Sequence, residues 1–153
     1  MTFFVLAITA LSRSMLVLLF LPFSALDKLI DFPGAVAQAK EDVGSTKIAA
    51  AMIVMALLVE VVMSLGVLTG IADRLAAFVL AGYCVVTALA WKRFWAVGDF
   101  ALTGASQGRA LFWDFLKNLA VAGGFMLITF GGHARGAEAF WEAPLSSTEP
   151  YRL

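Results

Sequence analysis

Four apolar stretches, each long enough to cross a lipid bilayer, leave this chain of 153 residues few folds to adopt. They occupy about residues 3–30, 48–68, 75–95 and 110–131. A helix rises about 1.5 Å per residue, so about 20 residues cross a hydrocarbon core of about 30 Å. The runs are continuous rather than alternating, and each is longer than a barrel strand, so β-structure is excluded. Backbone polar groups in lipid must be satisfied within the segment, which helices do. The reading is therefore all-α: a single-domain, integral membrane, antiparallel four-helix bundle with a polar C-terminal tail over residues 133–153.

The segments between the runs refine this layout. Thr69–Arg74 has room only for a tight turn, which makes the second and third helices antiparallel neighbours. Asp31–Lys47 reads as a polar connection, with Pro33-Gly34 as a turn signal and Ser45 as a cap for the second helix. Ala96–Arg109 is a glycine-punctuated loop, and Ala137–Ala143 (AEAFWEA) reads as an interfacial segment. The first run is over-long and carries Pro22, so a kink or tilt is expected. Met1–Leu11 has no basic residue ahead of it and no small-x-small cleavage site after it, and is read as the retained start of the first helix. Gly66 and Gly70, Ala120 and Gly124, and the Gly123-Gly124 pair predict close helix contacts. Trp91, Trp95, Trp113 and Tyr83 read as interface belt or core.

Composition removes several function classes. Hydrophobic residues make up 61% of the chain and charged residues 14%, well below the quarter or so charged in soluble domains. Eleven basic residues balance eleven acidic ones and form no stripe, so nucleic acid is not an expected partner. Cys84 is the single cysteine and His133 the single histidine. An internal disulfide, a CxxC motif and bis-histidine haem ligation are thereby excluded, and no zinc, other metal or covalently bound cofactor is expected.

Charges inside the apolar runs are the most informative residues. Glu60 lies near the middle of the second run, where an unpaired carboxylate is strongly disfavoured. If the first helix enters near Phe4 and the second leaves by the same face near Thr69, Arg13 and Glu60 both lie about 13 Å below it. In the fourth run Asp114, Lys117 and Asn118 stand at i, i+3 and i+4, on one helical face. Lys117 would lie about 10 Å from the opposite face and Glu60 about 18 Å from it. Arg13, Glu60, Lys117 and Asp114, with Asn118 beside them, are thus the candidates for one interior polar cluster that binds a headgroup or relays protons. The alternative is that these charges are static pairs that fix helix register.

The order of features resembles the DoxX family of small bacterial membrane proteins over about residues 13–132. The resemblance rests on Arg13, Phe20 and Lys28, and on Glu60 followed by Leu65-Gly66. It rests also on Arg93-Phe94-Trp95, and most specifically on Phe115-Leu116-Lys117-Asn118-Leu119-Ala120 with Gly123-Gly124. Where many relatives carry a histidine before the aromatic pair, this chain has Lys92. The resemblance implies four membrane helices in a bacterial cytoplasmic (inner) membrane and an association with redox membranes, including quinol oxidation and thiosulfate:quinone oxidoreduction.

Two functional readings follow. In the first, the chain is a redox-associated subunit, in or beside a respiratory or oxidoreductase complex, that binds a quinone through the interior cluster. Such a site needs an apolar cleft, one or two polar groups and a carboxylate that exchanges protons. In the second, it is a non-catalytic accessory or assembly subunit whose buried charges are structural. Expected partners are membrane lipid and other membrane or peripheral redox proteins, or a second copy of the chain. Lys28, Lys40, Lys47, Lys92, Arg93 and Arg109 flank the first and third connections, against Arg74, Arg135, Arg152 and Arg13 opposite. This charge bias predicts those connections inside and both termini outside.

Overall fold

The computed structural model describes residues 2–131, 136–147 and 151; His133, Arg135 and Arg152 lie outside them. Among the described residues, four helices are long and apolar enough to span a membrane. In our numbering they are α1 (Phe3–Ile30), α3 (Thr46–Thr69), α4 (Asp73–Trp91) and α5 (Gln107–Phe130). Two shorter helices, α2 (Phe32–Val43) and α6 (Gly136–Glu142), join them, with a short 3₁₀ turn at Phe94–Ala96. All regular structure among the described residues is helical. Large apolar side chains such as Phe23, Leu29, Met55, Leu58 and Leu127 point outward, as lipid-facing residues do.

The helix α2 corrects the expectation of a plain polar connection. Pro33 falls in the first turn, where its missing N–H is no loss. Asp31 caps the same turn, its carboxylate accepting from Gly34 N at 3.0 Å. Val36 and Ala39 then bury against Ala49 of α3, which gives the helix an apolar face. What reads as a Pro-Gly turn is a helix start. Ser45 precedes α3 but makes no side-chain cap there.

Helices α3 and α4 are the antiparallel neighbours that the short connection requires. Gly70 closes α3 at φ 78°, a left-handed conformation in which side chains are strained. A Cβ on Gly66 would meet the Ala76 Cβ at 2.9 Å, and one on Gly124 would meet Leu16 at 2.6 Å. Those two glycines let α3 approach α4 and α5 approach α1. Gly123 meets nothing within 4 Å, so the expected flat pair reduces to one contact. The core gathers on α4, where Ala76, Ala77, Leu80, Ala81 and Cys84 bury against Val17, Phe20, Val67, Ala122 and Phe125.

Two of the spans are irregular, α1 at a kink and α3 at a π-turn. Pro22 lacks an N–H and its ring crowds the preceding turn. Leu21 accordingly leaves helical geometry (φ −121°, ψ 107°), and the helix kinks within Leu19–Ser24. This is the kink expected for the first run. The π-turn, Val59–Met63, contains Glu60, and it packs against the kinked segment of α1.

Candidate functional site

The Glu60 side chain is 1% exposed, and four hydrogen bonds from three residues converge on its carboxylate. From α1, Ser24 Oγ donates to Oε1 at 3.0 Å, and Lys28 Nζ spans Oε1 and Oε2 at 2.9 and 3.1 Å. From α4, Tyr83 Oη donates to Oε1 at 2.7 Å. Ser24 also takes a short hydrogen bond from Lys28. Each partner is where it is for a local reason. The kink at Pro22 turns Ser24 inward, and Lys28 stands one turn beyond it with a stem long enough to reach Glu60. The Tyr83 ring packs edge-on to Phe20, centroids 6.1 Å apart, which aims its hydroxyl at the carboxylate. A charged pair with several hydrogen bonds is the form in which a buried carboxylate is tolerated.

Tyr83 also borders open space. Between α2, α3 and α4 lies a cleft of about 770 Å³, within the size range of small-molecule sites. Met52, Ile53, Ala56, Val59 and Val86 give it apolar walls, and Gln107 and Leu111 close its α5 side. Its mouth is polar, with Gln38, Glu41, Asp42, Lys92 and Arg93, and Trp91 Nε1 donates to Asp42 there at 2.7 Å. At the inner end Tyr83 connects the cleft to Glu60.

The DoxX family model matches residues 8–93, more than half of the chain. The chain belongs to the DoxX family. Members are membrane proteins generally associated with redox and stress functions. No curated protein and no solved structure matches it. The DoxX match takes in Ser24, Lys28, Glu60 and Tyr83, the whole of the Glu60 network. It ends at Arg93, so the Phe115–Ala120 block of the resemblance lies beyond it.

The expected Arg13–Glu60 meeting does not occur. Arg13 instead donates to Asp73 Oδ2 at 2.6 Å and to the Val67 carbonyl at 2.7 Å. The depth estimate failed because it took Phe4 and Thr69 as level. With Arg13 on Val67, the first turns of α1 overhang the end of α3 by about 10 Å. Lys117 and Asp114 also stay out of the interior. They pair with each other at 3.2 Å, Asp114 also pairs with Lys92 at 3.6 Å, and the Lys117 side chain is 73% exposed. Lys92 follows the last residue of α4, so Asp114 stands level with that helix end, and the first turns of α5 project past it. Asn118 is half-buried and takes no part in the Glu60 network.

Of the five candidates, then, Glu60 alone belongs to this site; Lys28, Ser24 and Tyr83 complete it. One signal for Lys28 was present in the sequence. Lys28 stands among the residues that carry the DoxX resemblance, whereas depth counted from Ile30 leaves it about 15 Å shallower than Glu60.

Proposed function

We propose that this DoxX-family chain is a redox-associated subunit of a bacterial inner membrane that binds a quinone-type molecule in the Tyr83 cleft. A single observation carries the reading: Tyr83 both lines the cleft and hydrogen-bonds the buried Glu60. An apolar slot ending in a hydroxyl backed by a carboxylate suits a ring with oxygen substituents. The slot excludes water, the hydroxyl meets the ring oxygen, and Glu60 with Lys28 exchanges protons through it. Electrons pass to or from a partner redox protein, in or beside a respiratory or oxidoreductase complex. The polar mouth, with Lys92 and Arg93, faces the cytoplasm in this reading, and both termini face away from it. A C-terminal reporter active only in the cytoplasm would reverse that orientation.

The test is ligand-dependent stabilisation in mild detergent. A short-chain quinone analogue, offered oxidised and reduced, raises the melting temperature of the wild-type protein in at least one form. Ala56→Trp, which fills the cleft wall, abolishes the rise. Wild type unmoved by every quinone analogue in both forms would leave the accessory-subunit reading standing instead. That reading has its own support at the opposite end of the bundle, where neither Arg13 nor Asp73 lines the cleft.

A further inference from the structure

One side of α5 is uncovered over most of its length. Trp113, Leu116, Lys117, Ala120, Gly123 and Leu127 recur every three or four residues, so they share a helical face, and all six are exposed. A Cβ added at Gly123 would meet nothing within 4 Å, so the middle of the face is open. Its lower half is apolar, as a lipid-facing surface is, but its upper half carries charges that do not balance. Asp114 is one carboxylate between two ammonium groups, Lys117 at 3.2 Å and Lys92 at 3.6 Å, and the Lys117 side chain is 73% exposed. Arg109 stands about 12 Å ahead of Lys117 along the axis. It donates to the Gly104 carbonyl at 2.7 Å and, among the described residues, pairs with no carboxylate. The acid at the start of α5, Asp99, is held by backbone, accepting from Gln107 N and Gly108 N at 2.9 and 2.8 Å. Arg109 and Trp113 line a hollow of about 400 Å³ with Gly104, Ala105, Ser106 and Ala110.

We infer that this face of α5 binds an anionic phospholipid, its phosphate level with Trp113 between Arg109 and Lys117 and an acyl chain along Ala120 and Gly123 towards Leu127. Depth and charge both fit. Asp114 pairs with Lys92 at the end of α4, so this turn of α5 lies where the span meets the headgroups, and a half-exposed tryptophan suits that depth. Arg109 and Lys117 each stand about 6 Å from Trp113 along the axis, within reach of long side chains. A cation excess at a membrane surface attracts anionic headgroups, and the lipid supplies the missing negative charge and the apolar chain together. A zwitterionic lipid offers the same chain but brings its own ammonium group, so it cancels none of the excess. The site is separate from the Tyr83 cleft, which none of Arg109, Trp113 and Lys117 lines.

The experiment titrates the full-length, delipidated protein in detergent with phosphatidylglycerol or phosphatidylcholine carrying the same bromine-labelled acyl chains, read by quenching of tryptophan fluorescence. Phosphatidylglycerol is expected to bind at least about tenfold more tightly. Trp113→Phe removes most of the difference in quenching between the two lipids. Arg109→Gln with Lys117→Gln brings the two affinities within about twofold of each other. Where that double variant lowers the melting temperature, Lys117→Gln alone takes about threefold from the preference. Asp114→Asn works in the opposite direction: it frees both lysines and raises phosphatidylglycerol affinity by about threefold. Lys40→Gln with Lys47→Gln removes as much charge elsewhere and leaves the preference intact. Equal binding of the two lipids to wild type overturns the inference. So does an equal loss in the Lys40 and Lys47 variant, which would assign the preference to overall charge, or headgroup-dependent quenching that survives Trp113→Phe. A wild-type dimer that neither lipid quenches would give the face to a second copy of the chain and overturn it too.

Discussion

Two buried ion pairs tie this bundle together, Lys28–Glu60 and Arg13–Asp73, and they differ in what surrounds them. Asp73 is fully buried, and its partners besides Arg13 come from the tail: Ser147 N donates to Oδ1 at 2.6 Å and Ser147 Oγ to Oδ2. Tyr151 lies over the Arg13 guanidinium at 5.8 Å and donates to the Leu68 carbonyl at 2.6 Å. Next to it, Arg74 donates to the carbonyls of Ala139 and Ala143 at the end of α6, fastening that helix to α4. Among the described residues, the other polar partners of this pair are therefore backbone or Ser147 of the tail. Glu60 is as deeply buried, yet one of its partners borders a cleft. Burial of a charge thus says little about role. The group on its far side decides whether it can meet a ligand.

The comparison breaks most visibly at Asp73. Asp73→Ala leaves Arg13 buried without a counter-charge and frees Ser147, and is expected to destabilise by about 3–5 kcal/mol. Unfolding in detergent measures it, and a loss below about 1 kcal/mol would mean that water reaches Arg13. The double change Arg13→Met with Asp73→Leu should recover most of that stability, as apolar replacement of a buried pair often does.

Glu60→Gln comes next in size. The amide keeps the volume and can still accept from Ser24, Lys28 and Tyr83, so the expected loss is about 1–3 kcal/mol. Its distinguishing result is the loss of quinone-dependent stabilisation, which Asp73→Ala should retain at a temperature where that variant is folded. A Glu60→Gln protein stabilised by the analogue as fully as wild type would make both pairs structural. Ser147→Ala sharpens the other side. It removes one hydrogen bond from the Asp73 end, about 1 kcal/mol in melting experiments, and no ligand response. At the bottom of the scale, Lys117→Ala removes a side chain that is 73% exposed in its pair with Asp114. Its effect on stability should lie within about 0.5 kcal/mol, and a larger one would place Lys117 in a protein contact.

What the sequence made legible, and what it did not, divides along the same line. Hydropathy alone located the four spans, because the solvent acts on every residue of a span at once. It also marked Glu60 and Arg13 as inward-facing, since neither charge is tolerated on the lipid side. The partners were not legible, because pairing depends on where each helix stands relative to the others. Helix starts were taken as the membrane face, whereas α1 overhangs at its N-terminal end and α5 projects past Lys92 at its own. Both offsets exceed one turn, which is enough to exchange Glu60 for Asp73 as the partner of Arg13. Tyr83 was passed over because an aromatic residue in an apolar run reads as packing. Its hydroxyl matters only once Glu60 is known to be one helix away.

The wide turn at Val59–Met63 has a consequence for anyone altering this chain. A π-turn accommodates one residue more than a regular turn, so the segments on either side of it are rotated by about 100° relative to an unbroken helix. That rotation lets Met52, Ile53 and Ala56 line the cleft while Ser64 and Val67 face the core. Deleting a single residue from the regular helix ahead of it, rather than from the wide turn itself, would leave the length and hydropathy of the span almost untouched. Everything downstream would then turn by that angle, carrying the Gly66 contact away from Ala76. In this helix the phase of the side chains is a property separate from composition, and one inserted or deleted residue is a larger change than several conservative substitutions.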